Sequence, residues 1–194
     1  MMCSRITGQL LALSAVLLLA ACGGNKEVRP EDRPAVPRSI VIGMTADAVQ
    51  LSAFENIFAN ILRTEGEVVC LIATGLPDLS AGITMETLNQ AAAAADIDAI
   101  IINRMVSESA RGGSADNLSE YIDQITPVRR VEENRGLIES RVFAVSSGEL
   151  LWSGWSDDVN PRGRLQDLAK QATRVAEKLA KSRVLFQPAA TSTK

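Results

Sequence analysis

Short runs of consecutive apolar residues alternate along this chain with stretches whose apolar residues recur every third or fourth position, a pattern that predicts strands separated by amphipathic helices. Ile40-Val41-Ile42 reads as a short buried strand. Leu51, Phe54, Ile57, Phe58, Ile61 and Leu62 then follow at helical spacing, with Thr45 or Asp47 placed to cap the helix and Gly66 placed to end it. Val68 to Ala73 forms a second continuous apolar run, and Thr74-Gly75-Leu76-Pro77 starts a loop. Thr84 caps a second helix through Leu88 and the alanines 91 to 95, before Ile97 to Val106 supplies a third strand. Uninterrupted apolar strands separated by helices are the mark of a parallel sheet covered on both faces.

The pattern then changes. Ser107 to Asn117 is polar, and Leu118 to Ile125 forms a short helix carrying Tyr121. After a polar stretch at 129 to 134, Leu137 to Val145 resumes as a strand on which Glu139 and Arg141 share a face. Ser146-Ser147-Gly148-Glu149 has turn chemistry, so Leu150 to Ser156 returns as an antiparallel partner. Asn160-Pro161 breaks the chain, and Leu165, Leu168, Ala172, Val175, Ala176 and Leu179 form the apolar stripe of a last helix. Its basic residues lie elsewhere, on a solvated face. The expected fold class is α/β: a mixed sheet of parallel strands in βαβαβ order plus an antiparallel hairpin, with a C-terminal amphipathic helix.

The first residues read differently. Met1 to Arg5 carry one positive charge, and Ile6 to Leu19 are mostly Leu, Ala, Val and Ile. At about 1.5 Å per helical residue this run spans about 21 Å, short of the roughly 30 Å of a bilayer core, so it reads as a secretory leader and not a retained span. It closes on Leu19-Ala20-Ala21-Cys22, which resembles the lipobox of bacterial lipoproteins. The resemblance implies cleavage before Cys22 and acylation of that cysteine. Gly23-Gly24 then stand where an aspartate retains enteric lipoproteins in the inner membrane, which implies an outer-membrane anchor facing the periplasm. Gly23 to Arg38 holds three prolines and seven charges and reads as a tether. The expected organisation is a signal peptide at 1–21, lipidated Cys22 and tether at 22–38, one α/β domain at 39–185 and a disordered tail at 186–194.

Composition removes several chemistries. The chain has no histidine, so histidine general bases, Ser-His and Cys-His nucleophile pairs and His-ligated zinc are excluded. Cys3 leaves with the leader and Cys22 is acylated, so Cys70 is the one remaining thiol and reads as a small buried apolar residue. Net charge is -3, with acidic and basic residues interspersed, which is no nucleic-acid footprint. The pairs Glu31-Asp32, Glu132-Glu133 and Asp157-Asp158 read as solvated carboxylates, Gly112-Gly113-Ser114 lacks the lysine of a phosphate loop, and Asp157 to Asn160 lacks the glycine and distal glutamate of a calcium hand. No metal site and no cofactor is expected.

Glu139-Ser140-Arg141-Val142-Phe143 followed by Ser147-Gly148-Glu149-Leu150-Leu151-Trp152-Ser153-Gly154 resembles a hairpin signature of uncharacterised small bacterial lipoproteins. Their opening strand and Phe-Glu-Asn helix are matched at Ile40 to Met44 and Phe54-Glu55-Asn56, while the 107 to 134 region departs from them. The order of elements is also similar to the periplasmic modules of curli-secretion and penicillin-binding-protein-activator lipoproteins. That similarity implies protein binding without catalysis. Trp152 and Trp155 are three apart on one strand and so belong to opposite faces. With Tyr121 they are the candidate interface residues of a non-enzymatic module that binds an envelope protein or copies of itself through the hairpin and the 107 to 134 segment. The alternative is a small-molecule or glycan site at the carboxyl ends of the parallel strands, near Gly43 to Asp47 and Thr74 to Asp78.

Overall fold

The computed structural model describes residues 37–44, 48–80, 82–107, 115–125, 136–160 and 164–186. The leader, Cys22, the tether through residue 36, the candidate caps Thr45 and Asp47, most of the two polar stretches between 107 and 135, and the tail from 187 lie outside them.

The apolar runs form strands β1 (Arg38–Met44), β2 (Val69–Ile72), β3 (Ala99–Ser107), β4 (Gly136–Ala144) and β5 (Leu150–Trp155). The helices are α1 (Ala48–Glu65), α2 (Pro77–Ser80), α3 (Met85–Ala95), α4 (Leu118–Ile125) and α5 (Leu165–Ser182). The strands make one sheet in the order β2-β1-β3-β4-β5. β1 pairs in parallel with β2 and β3, and β4 and β5 extend the sheet antiparallel. The fold is therefore the expected mixed α/β sheet with its hairpin and C-terminal helix.

Side chains alternate across the sheet and build two cores. On the first face Val41, Ile101, Ile138 and Val142 meet Phe54, Phe58 and Leu62 of α1 and Leu168, Ala172, Val175 and Leu179 of α5. On the second face Ile40, Ile42, Ile100, Ile102 and Phe143 meet Leu88 and Ala91 of α3 and Leu118, Tyr121 and Ile122 of α4. Each large apolar side chain taken fully from water contributes about 1.5–3 kcal/mol. Burial of a helix stripe on each side thus explains why β1 and β3 are apolar at successive positions.

Local signals differ from expectation in two places. Gly66 follows α1 but does not take the left-handed conformation, which falls to Glu67 at φ 55°. Gly66 is needed for space instead, because a Cβ there would stand 2.7 Å from the Leu62 carbonyl oxygen. The expected loop after β2 contains a 3-10 turn, Ala73–Gly75, and then α2, which Pro77 opens at the position where a missing N–H costs nothing. Thr84 does cap α3: its Oγ1 accepts the Thr87 N–H at 3.2 Å, and the Thr84 N–H donates to Thr87 Oγ1 at 3.0 Å.

Candidate functional site

In an open α/β sheet ligands bind outside the carboxyl ends of the strands, where neighbouring crossovers leave to opposite faces. Here that point is β1, whose α1 crossover to β2 covers the first face while α2 and α3 lead to β3 across the second. The crevice is filled from within. Glu55 of α1, 1 % exposed, reaches over the sheet end. Its Oε1 accepts the Gly43 N–H at 2.8 Å, and its Oε2 accepts the Thr74 N–H at 3.1 Å and the Thr74 hydroxyl at 2.8 Å. Beside it, between α1 and α5, a cleft lined by Met44, Phe54, Met105 and Leu168 leaves about 20 Å³, room for about one water. Among the described residues, nothing here forms the deep pocket that a glycan or drug-sized ligand needs.

Sequence reading passed over Glu55 as a functional residue, although a signal was present. It stands three before Phe58 and seven before Leu62, so a charge sits on the apolar stripe of α1.

A second polar cluster is buried on the other face. Glu139 of β4, 1 % exposed, pairs with Arg104 on the neighbouring strand β3 and with Arg141 Nε on its own strand at 3.0 Å. The Tyr121 hydroxyl donates to Glu139 Oε2 at 2.9 Å, and both guanidinium carbons lie over the tyrosine ring, 5.3 and 5.1 Å from its centre. Arg141 also donates to the Ala115 carbonyl at 2.9 Å, which ties the start of α4 to the sheet. Burial alone would raise the Glu139 carboxyl, but the hydrogen bond and charge of Arg104, with hydrogen bonds from Arg141 and Tyr121, hold it below its ordinary value. Burial, and then the adjacent Glu139 charge, push the tyrosine phenol up.

This cluster takes Tyr121 out of the candidate interface. Leu118, Tyr121, Ile122 and Ile125 occupy the one apolar face of α4, and that face packs down onto the sheet, leaving the tyrosine fully buried. The shared face of Glu139 and Arg141 was legible in the strand alternation. Arg104, on another strand, gave no local signal.

The two tryptophans do lie on opposite faces. Trp152 stands opposite Val142 and packs against the core of the first face, whereas Trp155 stands opposite Glu139 on the second. Both are half-buried. They belong to an edge strand that is capped at each end. The Leu150 N–H donates to the Asp116 carbonyl at 2.9 Å, and the Trp155 carbonyl accepts from Lys178 Nζ at 3.4 Å. Because the Ser156 N–H donates to the Ile138 carbonyl, antiparallel alternation turns the backbone of Ser153 toward the open side between these caps. The opposite edge is capped similarly, by Arg63 donating to the Cys70 carbonyl on β2.

Cys70 is buried, and that burial pushes its thiol up to about 12 against the opposing charge of Arg63. Asp157 is paired with Arg174 at 2.6 Å near the surface, Asp158 is exposed, and the other two carboxylate pairs lie outside the described residues. Among the described residues no three His, Cys, Asp or Glu side chains gather as metal ligands would.

No protein-family model matches the chain, and no curated protein matches it. Among solved structures it is similar to a point variant of the PelC dodecamer from Paraburkholderia phytofirmans, at 15% identity and a TM-score of 0.44 over 74% of this chain and 87% of that one. It is similar to TolB from Acinetobacter baumannii at 12% identity and a TM-score of 0.40, over 76% of this chain but only 28% of the other. The lipoprotein GNA1162 from Neisseria meningitidis gives 13% identity and a TM-score of 0.39, over 75% and 97%. None of these is close enough to lend this chain a function.

Proposed function

We propose that this chain is an outer-membrane-anchored periplasmic lipoprotein whose α/β domain is a non-enzymatic binding module, docking an envelope protein or further copies of itself through the β4–β5 hairpin. The observation that carries this reading is Trp155, a large aromatic left partly exposed on an edge strand beside the outward-facing backbone of Ser153. A partly exposed tryptophan suits the centre of a protein contact, where such residues dominate binding energy. The caps at Asp116 and Lys178 confine the open edge to about one residue, so the contact rests on side chains and not on a long added strand.

The reading without catalysis is supported by the lack of histidine, by a buried thiol kept protonated, and by the engagement of both buried glutamates with internal donors. The filled crevice at the carboxyl end of β1 favours a protein partner over a small ligand. The membrane anchor rests on the lipobox ending at Cys22.

Crosslinking in living cells, with wild-type protein compared with Trp155→Ala, tests the docking face. Recovery of a discrete envelope protein, or of the chain's own crosslinked oligomer, by wild type and its loss in the variant supports the proposal. Equal recovery from both moves the contact elsewhere. Labelling with a fatty acid tests the anchor: label on wild type and none on Cys22→Ser is the expected result, and an unlabelled wild-type chain overturns it.

A further inference from the structure

We propose that the crevice at the carboxyl ends of β1 and β2 is a carboxylate-binding site already occupied by an internal ligand, the side chain of Glu55. Three donors converge there: the Gly43 and Thr74 N–H groups and the Thr74 hydroxyl, each within 3.1 Å of one of the two carboxylate oxygens. The Gly43 donor engages Oε1 and both Thr74 donors engage Oε2, so the cradle grips a carboxylate at both oxygens. The Gly43 donor belongs to β1 and the two Thr74 donors to the 3-10 turn after β2, so none of the three comes from α1. Glu55 has no cationic partner in this set, and a buried charge without one is costly unless its surroundings are built to accept an anion. Thr74 is exposed, which leaves the cradle a route to solvent once the glutamate is gone.

The site predicts its own ligand by size. Glu55→Ala removes two carbons and the two oxygens beyond Cβ, and acetate has those same four heavy atoms. Formate fills the oxygen positions but leaves a gap, and propionate carries one carbon too many. The inference does not depend on what docks at the hairpin.

The experiment is thermal and urea unfolding of Glu55→Ala in sodium acetate, formate, propionate and chloride at equal ionic strength. Acetate is expected to raise the folding equilibrium constant by the factor one plus its concentration over its dissociation constant, about tenfold at ten times that constant, with formate weaker and propionate and chloride without effect. Wild type, whose cradle is still filled, should show no selective response to acetate. Thr74→Val added to Glu55→Ala should abolish the response. An equal midpoint in acetate and chloride for Glu55→Ala, or an equal acetate response in wild type, overturns the proposal. If the variant is unfolded in chloride, refolding on dilution into acetate reads the same site, and its absence there counts against it.

Discussion

Trp152 roofs Gly154: the indole Cζ2 lies 2.6 Å, and Cη2 closer still, from where a Cβ on residue 154 would stand. The ring belongs to the same face two residues back along β5 and covers the bare backbone of the glycine, a known device for stabilising a glycine in an edge strand. Gly154→Ala should therefore lift the indole from its seat and cost about 1–3 kcal/mol. Urea unfolding checks the loss, and a red shift of tryptophan emission in the folded variant checks its cause.

Glu139 and the exposed pair Arg174 and Asp157 should answer very differently to mutation. Removing the Glu139 charge leaves Arg104 and Arg141 in a buried site without their shared partner, so Glu139→Gln should cost about 3–5 kcal/mol. Arg174 and Asp157 are 46% and 68% exposed, and Asp157→Asn should change stability by less than about 1 kcal/mol. Denaturant midpoints of the two variants decide whether burial governs the difference.

Acid should unfold the protein partly through Glu139. Its carboxyl is held below the ordinary 4.5, so at a pH between the two values the unfolded chain has bound a proton that the folded chain has not. The stabilisation is complete above pH 4.5 and is lost as pH falls through the lower native value. The acid limb of a stability profile should be shallower in Glu139→Gln than in wild type.

Cys70 gives the opposite limb. Its thiol moves from 9.0 in the open chain to about 12 in the fold, so its contribution is complete below pH 9 and lost as pH rises toward 12. At about pH 8 iodoacetamide should leave Cys70 unmodified in the native protein and modify it promptly in urea.

Lys178 should act at the sheet edge with little effect on the core. It is exposed and donates to the Trp155 carbonyl, so Lys178→Ala should leave the unfolding midpoint within about 0.5 kcal/mol while freeing a backbone acceptor on β5. Increased light scattering at high protein concentration is the expected outcome, and a profile equal to wild type would show that the lysine does not guard the edge.

The sheet and its helices were legible because burial on both sides forces apolar runs, as at Ile40 to Ile42 and Ile100 to Ile102, and because Leu168, Ala172, Val175 and Leu179 keep helical spacing. The opposite faces of Trp152 and Trp155 followed from strand alternation, even with a bulge nearby at Val142/Phe143. What sequence could not supply was partnership across distance. Glu55 meets Thr74 nineteen positions away, and Arg104 meets Glu139 thirty-five away. Tyr121 stands on a short helix between polar stretches, and its hydroxyl finds Glu139 only once α4 lies on the sheet.

The buried pair of Asn103 and Ser140 has a consequence for how the sheet is assembled. Ser140 Oγ donates to Asn103 Oδ1 at 2.6 Å across β3 and β4, directly below the Arg104 and Glu139 pair. Residues 108–135 join these strands, too long a connection for a tight turn to dictate their alignment. A slip of two residues would keep every side chain on its proper face, so apolar packing alone tolerates it. Such a slip sets Asn103 opposite Val142 or Ile138, and Arg104 opposite Arg141 or Leu137, taking the Ser140 donor from the Asn103 amide oxygen and the Glu139 carboxylate from the Arg104 guanidinium in either direction. The polar pairs thus work as alignment pins, selecting one register from those that the hydrophobic layers would accept.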